Sequence, residues 1–178
     1  METLELGSVS SGTMLEEDLI PSFMAILGGV DPKRAKSYHW ANRKYFNYLD
    51  GKRTNHSTLE LDDIVNCLSE IVDELMNMLY DYCPSYTYFG THPGDAADYG
   101  VWVDDDSIRE DIREGTLHEV SDLSELDTML VEDGKLPKSV IVTNDHGNQT
   151  LCDIEAKFTE DDFSYGFTWK TSIVWDIV

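Results

Sequence analysis

"SYTYFGTHPGDAADYGVWVDDDS", residues 85–107, is where the chain changes its hydrophobic period. Before it, apolar residues recur every three or four positions. Within it, Tyr86-Thr87-Tyr88-Phe89 and Tyr99-Gly100-Val101-Trp102-Val103 look like a pair of strands. Pro93 and Gly94, between them, are ordinary turn residues. The stretch therefore predicts an aromatic hairpin with helices on its N-terminal side and strands on its C-terminal side. That order predicts an α+β fold, with N-terminal helices packed on a C-terminal antiparallel sheet. The expected organisation is a single domain over 1–178, helical over 1–83 and mainly antiparallel strands over 84–178.

Upstream, the clearest helix spans about residues 58–82. Leu61, Ile64, Leu68, Ile71, Val72, Leu75, Met78, Leu79 and Tyr82 form one apolar face, and Glu60, Asp63, Glu70, Glu74 and Asp81 lie on another. "DPKRAKSYHWANRKYFNYLDG", residues 31–51, predicts a basic and aromatic helix with Asp31 as N-cap, Pro32 in the first turn and Gly51 as its stop. Before that, Thr13 and Glu16 suggest a capping box. Pro21 puts the start of the first regular helix near Asp18, and Gly28-Gly29 its end.

Downstream, residues 105–114 predict a short acidic helix, with Asp104 as a cap and Ile108 and Ile112 turned inward. "SDLSELDTML" begins a further helical turn. "KSVIVTNDHGNQTLCDIEA" is a hairpin built on the polar turn "NDHGN", and "FSYGFTWKTSIVWDIV" is one long final strand or a bent pair.

The formal net charge is −22, from 13 Lys/Arg and 35 Asp/Glu in 178 residues. Residues 1–56 hold seven of each sign, so the remainder has 13 − 7 = 6 basic and 35 − 7 = 28 acidic residues and carries the whole charge. Between Arg53 and Arg109 there are twelve acids and no Lys or Arg. Such a surface repels nucleic acid and acidic membranes and attracts basic proteins. The start of the chain lacks a basic, then apolar, leader pattern, and no apolar run reaches the length of a membrane span, so a cytoplasmic protein is expected. Cys67, Cys83 and Cys152 are odd in number and show no metal-ligand spacing, which fits free thiols.

Enzyme signatures are missing: there is no phosphate loop, dinucleotide fingerprint, nucleophile elbow or zinc pattern. His92, Asp95 and Asp98 are the one set that suggests a metal-dependent hydrolase, but a hairpin loop explains them more simply. No cofactor and no resident metal are expected. The expected partner-binding residues are Glu60, Asp63, Glu70, Glu74 and Asp81, followed by Asp104, Asp105, Asp106, Glu110 and Asp111. Further acids fall in 122–133 and 153–162. Lys33, Arg34, Lys36, Arg43 and Lys44, beside aromatic residues, are candidates for nucleic-acid contact. Docking on the protein's own acidic helix is the commoner use of such a patch.

Three blocks in order, "SSGTMLEEDLIPSF", "YTYFGTHPGDAADYGVW" and "VTNDHGNQTL", resemble a set of small acidic proteins carried by bacteria, phages and mobile elements. Ala96 departs from the glycine expected in the central block. Within that set the chain looks most like a type II-A anti-CRISPR, an inhibitor of the Cas9 nuclease. The resemblance implies a non-enzymatic protein of the bacterial host cytoplasm. Its partner would be the Cas9–guide RNA complex, and its action would block target DNA binding or cleavage. Another basic, nucleic-acid-binding partner would suit the same charge.

Overall fold

The structure is a computed structural model that describes residues 3–51, 58–127, 136–161 and 164–177, with the backbone alone described over 58–61, 156–161 and 164–168. It is an α+β fold, with helices mostly N-terminal and strands mostly C-terminal. The chain divides into two compact units, residues 1–103 and 104–178, so the aromatic hairpin belongs with the helices.

In the first unit, helix α1 (Glu16–Val30) buries Leu19, Ile20, Phe23 and Leu27, which share one helical face. It starts two residues before the expected Asp18, so Pro21 sits in its second turn. Thr13 does not form the expected box with Glu16. Its hydroxyl accepts from Leu15 N at 3.1 Å and donates to Asp18 at 2.8 Å, while Glu16 accepts from Ser69 at 2.7 Å. Gly28 and Gly29 lie inside the last turn. The helix ends at Val30, because Pro32 disfavours helical backbone in the residue before it.

The expected basic helix is two helices, α2 (Pro32–Ala41) and α3 (Arg43–Leu49). The break is at Asn42, which leaves helical backbone at φ −100° and ψ 22° and whose side-chain amide donates to the Tyr38 carbonyl beside its own backbone N–H. Helix α4 (Thr58–Tyr80) buries Ile64, Leu68, Ile71, Val72, Leu75 and Leu79. Because Glu16 meets Ser69 and Asp31 meets Tyr82, α1 and α4 run side by side in the same direction.

Strands β1 (Gly7–Ser11), β2 (Thr87–His92) and β3 (Asp95–Val103) form an antiparallel sheet in the order β1-β3-β2. The Phe23 ring stands edge-on to Phe89 at 5.1 Å and to Tyr99 at 5.6 Å, fastening α1 to this sheet. Such edge-to-face pairs add about 0.5–1.5 kcal/mol each beyond simple burial.

The second unit opens with helix α5 (Asp105–Glu114), capped by Asp104 and stopped by Gly115 at φ 74°. Its sheet runs in the order β4 (His118–Val120), β5 (Ser139–Thr143), β6 (Gln149–Asp161) and β7 (Ser164–Asp176). The last three strands are antiparallel, as expected, and β7 is one strand with an irregularity in its register opposite Leu151/Cys152. The pair β4/β5 is parallel, which the sequence reading did not anticipate. Both faces of this sheet are filled. Val140 and Cys152 join Val120 and Leu126 in one cluster, while Ile141, Leu151 and Trp175 face the other way in register and are also buried.

Candidate functional site

On α4, Asp63, Glu70 and Glu74, followed by Asp81 just past the helix end, fall within about 20° of one line at 100° per residue. All four are exposed, and no lysine or arginine interrupts the helix. Sequence spacing identified this stripe. It missed Asp62 and Asp73, which are exposed on the neighbouring line of the same helix and belong to the same lysine-free run. The side chain of Glu60 lies outside the described residues.

The basic helices do not stand apart from this stripe. They run antiparallel along it and take up part of its charge. Arg34 pairs with Asp81 at 2.7 Å, and the Tyr38 hydroxyl donates to Glu74 at 2.7 Å. Farther along, Cys67, which falls between Asp63 and Glu70 on the helix, and then burial raise the Tyr45 hydroxyl above its ordinary pKa. Burial, then the Glu74 carboxylate, push the Tyr38 hydroxyl far above its ordinary pKa, so it stays a donor at any physiological pH. Arg34 and Asp81 are both partly solvated, which puts such a pair at about 0–1 kcal/mol. Docking on the protein's own acidic helix therefore accounts for Arg34. Lys33, Lys36, Arg43 and Lys44 remain exposed, with Arg43 stacked over the exposed Trp40 at 4.8 Å and Lys44 over Tyr45 at 5.6 Å.

On α5 the expected acids have local partners too. Asp104 is the N-cap, accepting from Ser107 N at 3.1 Å and from the Ser107 hydroxyl at 2.7 Å; those bonds hold its carboxyl below the usual range. Asp105 and Asp106 flank Arg109 at 3.8 and 3.4 Å, and Glu110 pairs with Arg113. Asp111 is half-buried, and its carbonyl accepts from Thr116 and Leu117 N. α5 is thus a helix of mixed sign, whereas the described side chains of α4 include no cation. Of the other acidic segments, Asp122 and Glu125 cap a turn and Asp153 accepts from Ser139; residues 128–135 and 162 lie outside the described residues.

The hairpin loop is tied together internally. His92 Nδ1 accepts from Gly94 N at 3.0 Å, and its ring stands edge-on to Trp102 at 4.6 Å. Asp95 accepts from Ala97 N at 2.9 Å, Asp98 accepts from the Ser8 hydroxyl, and the Trp102 indole donates to the Gly90 carbonyl at 3.0 Å. Among the described residues no three His, Cys, Asp or Glu side chains converge as metal ligands. Nor does any buried side-chain nitrogen or oxygen among them lack a partner. Cys83, the thiol nearest the hairpin in sequence, is pushed up to about 11 by burial and so stays protonated at neutral pH.

Of the three sequence blocks behind the family resemblance, the first two pack together in the first unit, and the third is a turn of the second unit. Ser8 to Ser11 of β1 pair with Asp98 to Gly100 of β3, and Gly12 N donates to the Ala97 carbonyl. The "DLIPSF" segment supplies Leu19, Ile20 and Phe23 to the core against Phe89 and Tyr99. In "NDHGN", the Asn144 side chain accepts from His146 N and Asn148 N, and Gly147 has φ 82°. No family model, curated protein or solved structure matches the chain. Among the described residues no helix is long and apolar enough to cross a membrane.

Proposed function

We propose that this chain is a non-enzymatic inhibitor of anti-CRISPR type that binds the Cas9–guide RNA complex through an acidic surface and blocks target DNA binding or cleavage. It would act in the cytoplasm of a bacterial host. The observation that carries this reading is the exposed face of α4, on which Asp62, Asp63, Glu70 and Asp73 stand with no cation between them. Neighbouring positions on a helix lie about 5–6 Å apart, while duplex DNA carries a charge every ~1.7 Å of axis. The stripe is sparser than DNA but of the same sign, and Cas9 handles nucleic acid in positively charged channels. The partners of Glu74 and Asp81 leave the free charge between residues 62 and 73 of α4. Asp63 and Glu70 are accordingly the residues expected to matter most.

The test is Cas9 cleavage and target binding in vitro, with the protein added before or after the DNA. Inhibition only when the protein precedes the DNA supports competition for the DNA channel. An Asp63→Lys/Glu70→Lys variant that inhibits as well as the parent removes the electrostatic argument. The internal engagement of Glu74 and Asp81 favours a second reading, in which the shorter remaining tract binds a different basic protein without imitating DNA. Competition by DNA for that partner separates the two. Contact of Lys33, Lys36, Arg43 and Lys44 with nucleic acid in the complex is a further mode, and the exposed Trp40–Arg43 stack is the feature that favours it.

A further inference from the structure

The second sheet treats its two edges differently. At one edge, β4 is only three residues long, which limits what can pair with it. At the other, β7 runs for thirteen residues, and β6 is its one strand neighbour among the described residues. A strand in that position turns every second N–H and C=O away from its neighbour, where they are able to pair with another chain. The register from Ser164 to Ser172 is unbroken, and the irregularity comes only opposite Leu151/Cys152. Beside it stands Ile173, a β-branched side chain 67% exposed, and beyond the strand Ile177 is 42% exposed. Neither is accounted for by the cores of this unit.

Charge selects the occupant. The second unit, residues 104–178, holds 19 acidic and 6 basic residues, a net charge of 6 − 19 = −13. Along the described parts of β6 and β7 the exposed charges are Asp153, Glu155 and Asp176 against Lys170. A second copy of β7 would bring another −13 to this edge, whereas a cationic segment would be drawn to it. We propose that the outer edge of β7 is a docking strand for an extended, lysine- and arginine-rich segment of another protein, which joins the sheet as a fifth strand. Backbone pairing supplies the attachment, Ile173 an apolar contact, and the acids the preference for a basic sequence. The α4 stripe takes no part in this docking, and the proposal stands whether or not Cas9 is the partner.

The test uses the full chain and a fluorescently labelled peptide of about nine residues alternating Lys and Val, long enough to line most of β7. Three controls accompany it: a Glu-for-Lys peptide, a Lys/Val peptide with a central proline, and hydrogen exchange of the β7 amides. The expected result is that only the proline-free basic peptide binds and that it slows exchange in β7. Ile173→Lys, which blunts an edge strand, should weaken binding by about tenfold or more, while Ile173→Thr, which keeps the β-branch, stays within about twofold. Ile173 is exposed, and thermal melting checks that each variant is folded. Equal binding of the proline peptide means adhesion by charge alone and overturns the proposal. So does equal binding by Ile173→Lys, or self-association with protected β7 amides in the absence of peptide.

Discussion

Gly100 sits where a side chain has no room: a Cβ there would lie 2.2 Å from the Gly7 carbonyl oxygen and 2.9 Å from the Trp102 ring. The first of these is backbone of the neighbouring strand and cannot swing aside, so only glycine lets β1 pair with β3. Gly100→Ala is expected to destabilise the first unit by about 1–3 kcal/mol, read by urea unfolding, with β1 amides losing exchange protection first. An unchanged midpoint would mean that β1 contributes nothing to stability. Asp31 is a second position where one side chain joins several elements. It accepts from Lys33 N and Arg34 N as the cap of α2, and from the Tyr82 hydroxyl beyond the end of α4. Asp31→Ala is therefore expected to lower the melting temperature more than Tyr82→Phe, which removes one of those bonds and leaves the cap.

At the scale of elements, the two acidic helices behave differently. Glu70 and Glu74 repel at i,i+4 on α4, at about 0.2–0.5 kcal/mol, so Glu70→Lys should leave the fold as stable or slightly more stable. If the proposed function holds, the same substitution is expected to weaken inhibition of Cas9. Opposite signs for stability and activity would mark the face as kept acidic for a partner, whereas parallel losses would mark Glu70 as structural. At the start of α5 and in the turn after β4, three acids act as caps. Bonds from Ser107 hold Asp104 low, those from Ser124 hold Asp122 low, and those from Ser121 hold Glu125 low. A carboxyl held lower in the folded state contributes stability that is complete above its ordinary value, 3.8 for Asp and 4.5 for Glu, and lost as pH falls through the lower folded value. Melting followed from pH 6 to pH 2 should show an acid limb below those values, and Asp104→Asn should make it shallower. The elements also show what the sequence could reveal. The hairpin and α4 were legible because large apolar residues repeat at periods of two and 3.6. "GSVSS" carries no strand signal, since its pairing depends on the space that a distant glycine leaves. The Asn42 break and the three-residue parallel β4 have no periodic signal at all.

For the whole molecule, a net charge of −22 on 178 residues favours expansion of the chain and opposes its compact state. The described ion pairs are exposed and individually worth little. Screening should therefore relieve more repulsion than it removes attraction. Raising NaCl from about 20 to about 500 mM at pH 7 shortens the Debye length to a few ångströms, and the melting temperature is expected to rise. A fall would show that the local pairs outweigh the global field. The same salt should weaken binding of any basic partner, so stability and affinity are expected to move in opposite directions along one titration.

The sequence by itself determined the α+β class, the main helix, both hairpins and the long lysine-free acidic run, because each is written in local period, turn chemistry or charge count. Only the tertiary structure decided that the blocks around residues 8–23 and 86–102 form one packed sheet and helix. It also decided that the basic helices run back along α4 and engage Glu74 and Asp81, and that β7 is left at an edge. Those outcomes turn on which segments meet after the chain has folded back over many tens of residues. Spacing along the chain records which face a residue occupies, but not which other face lies opposite it.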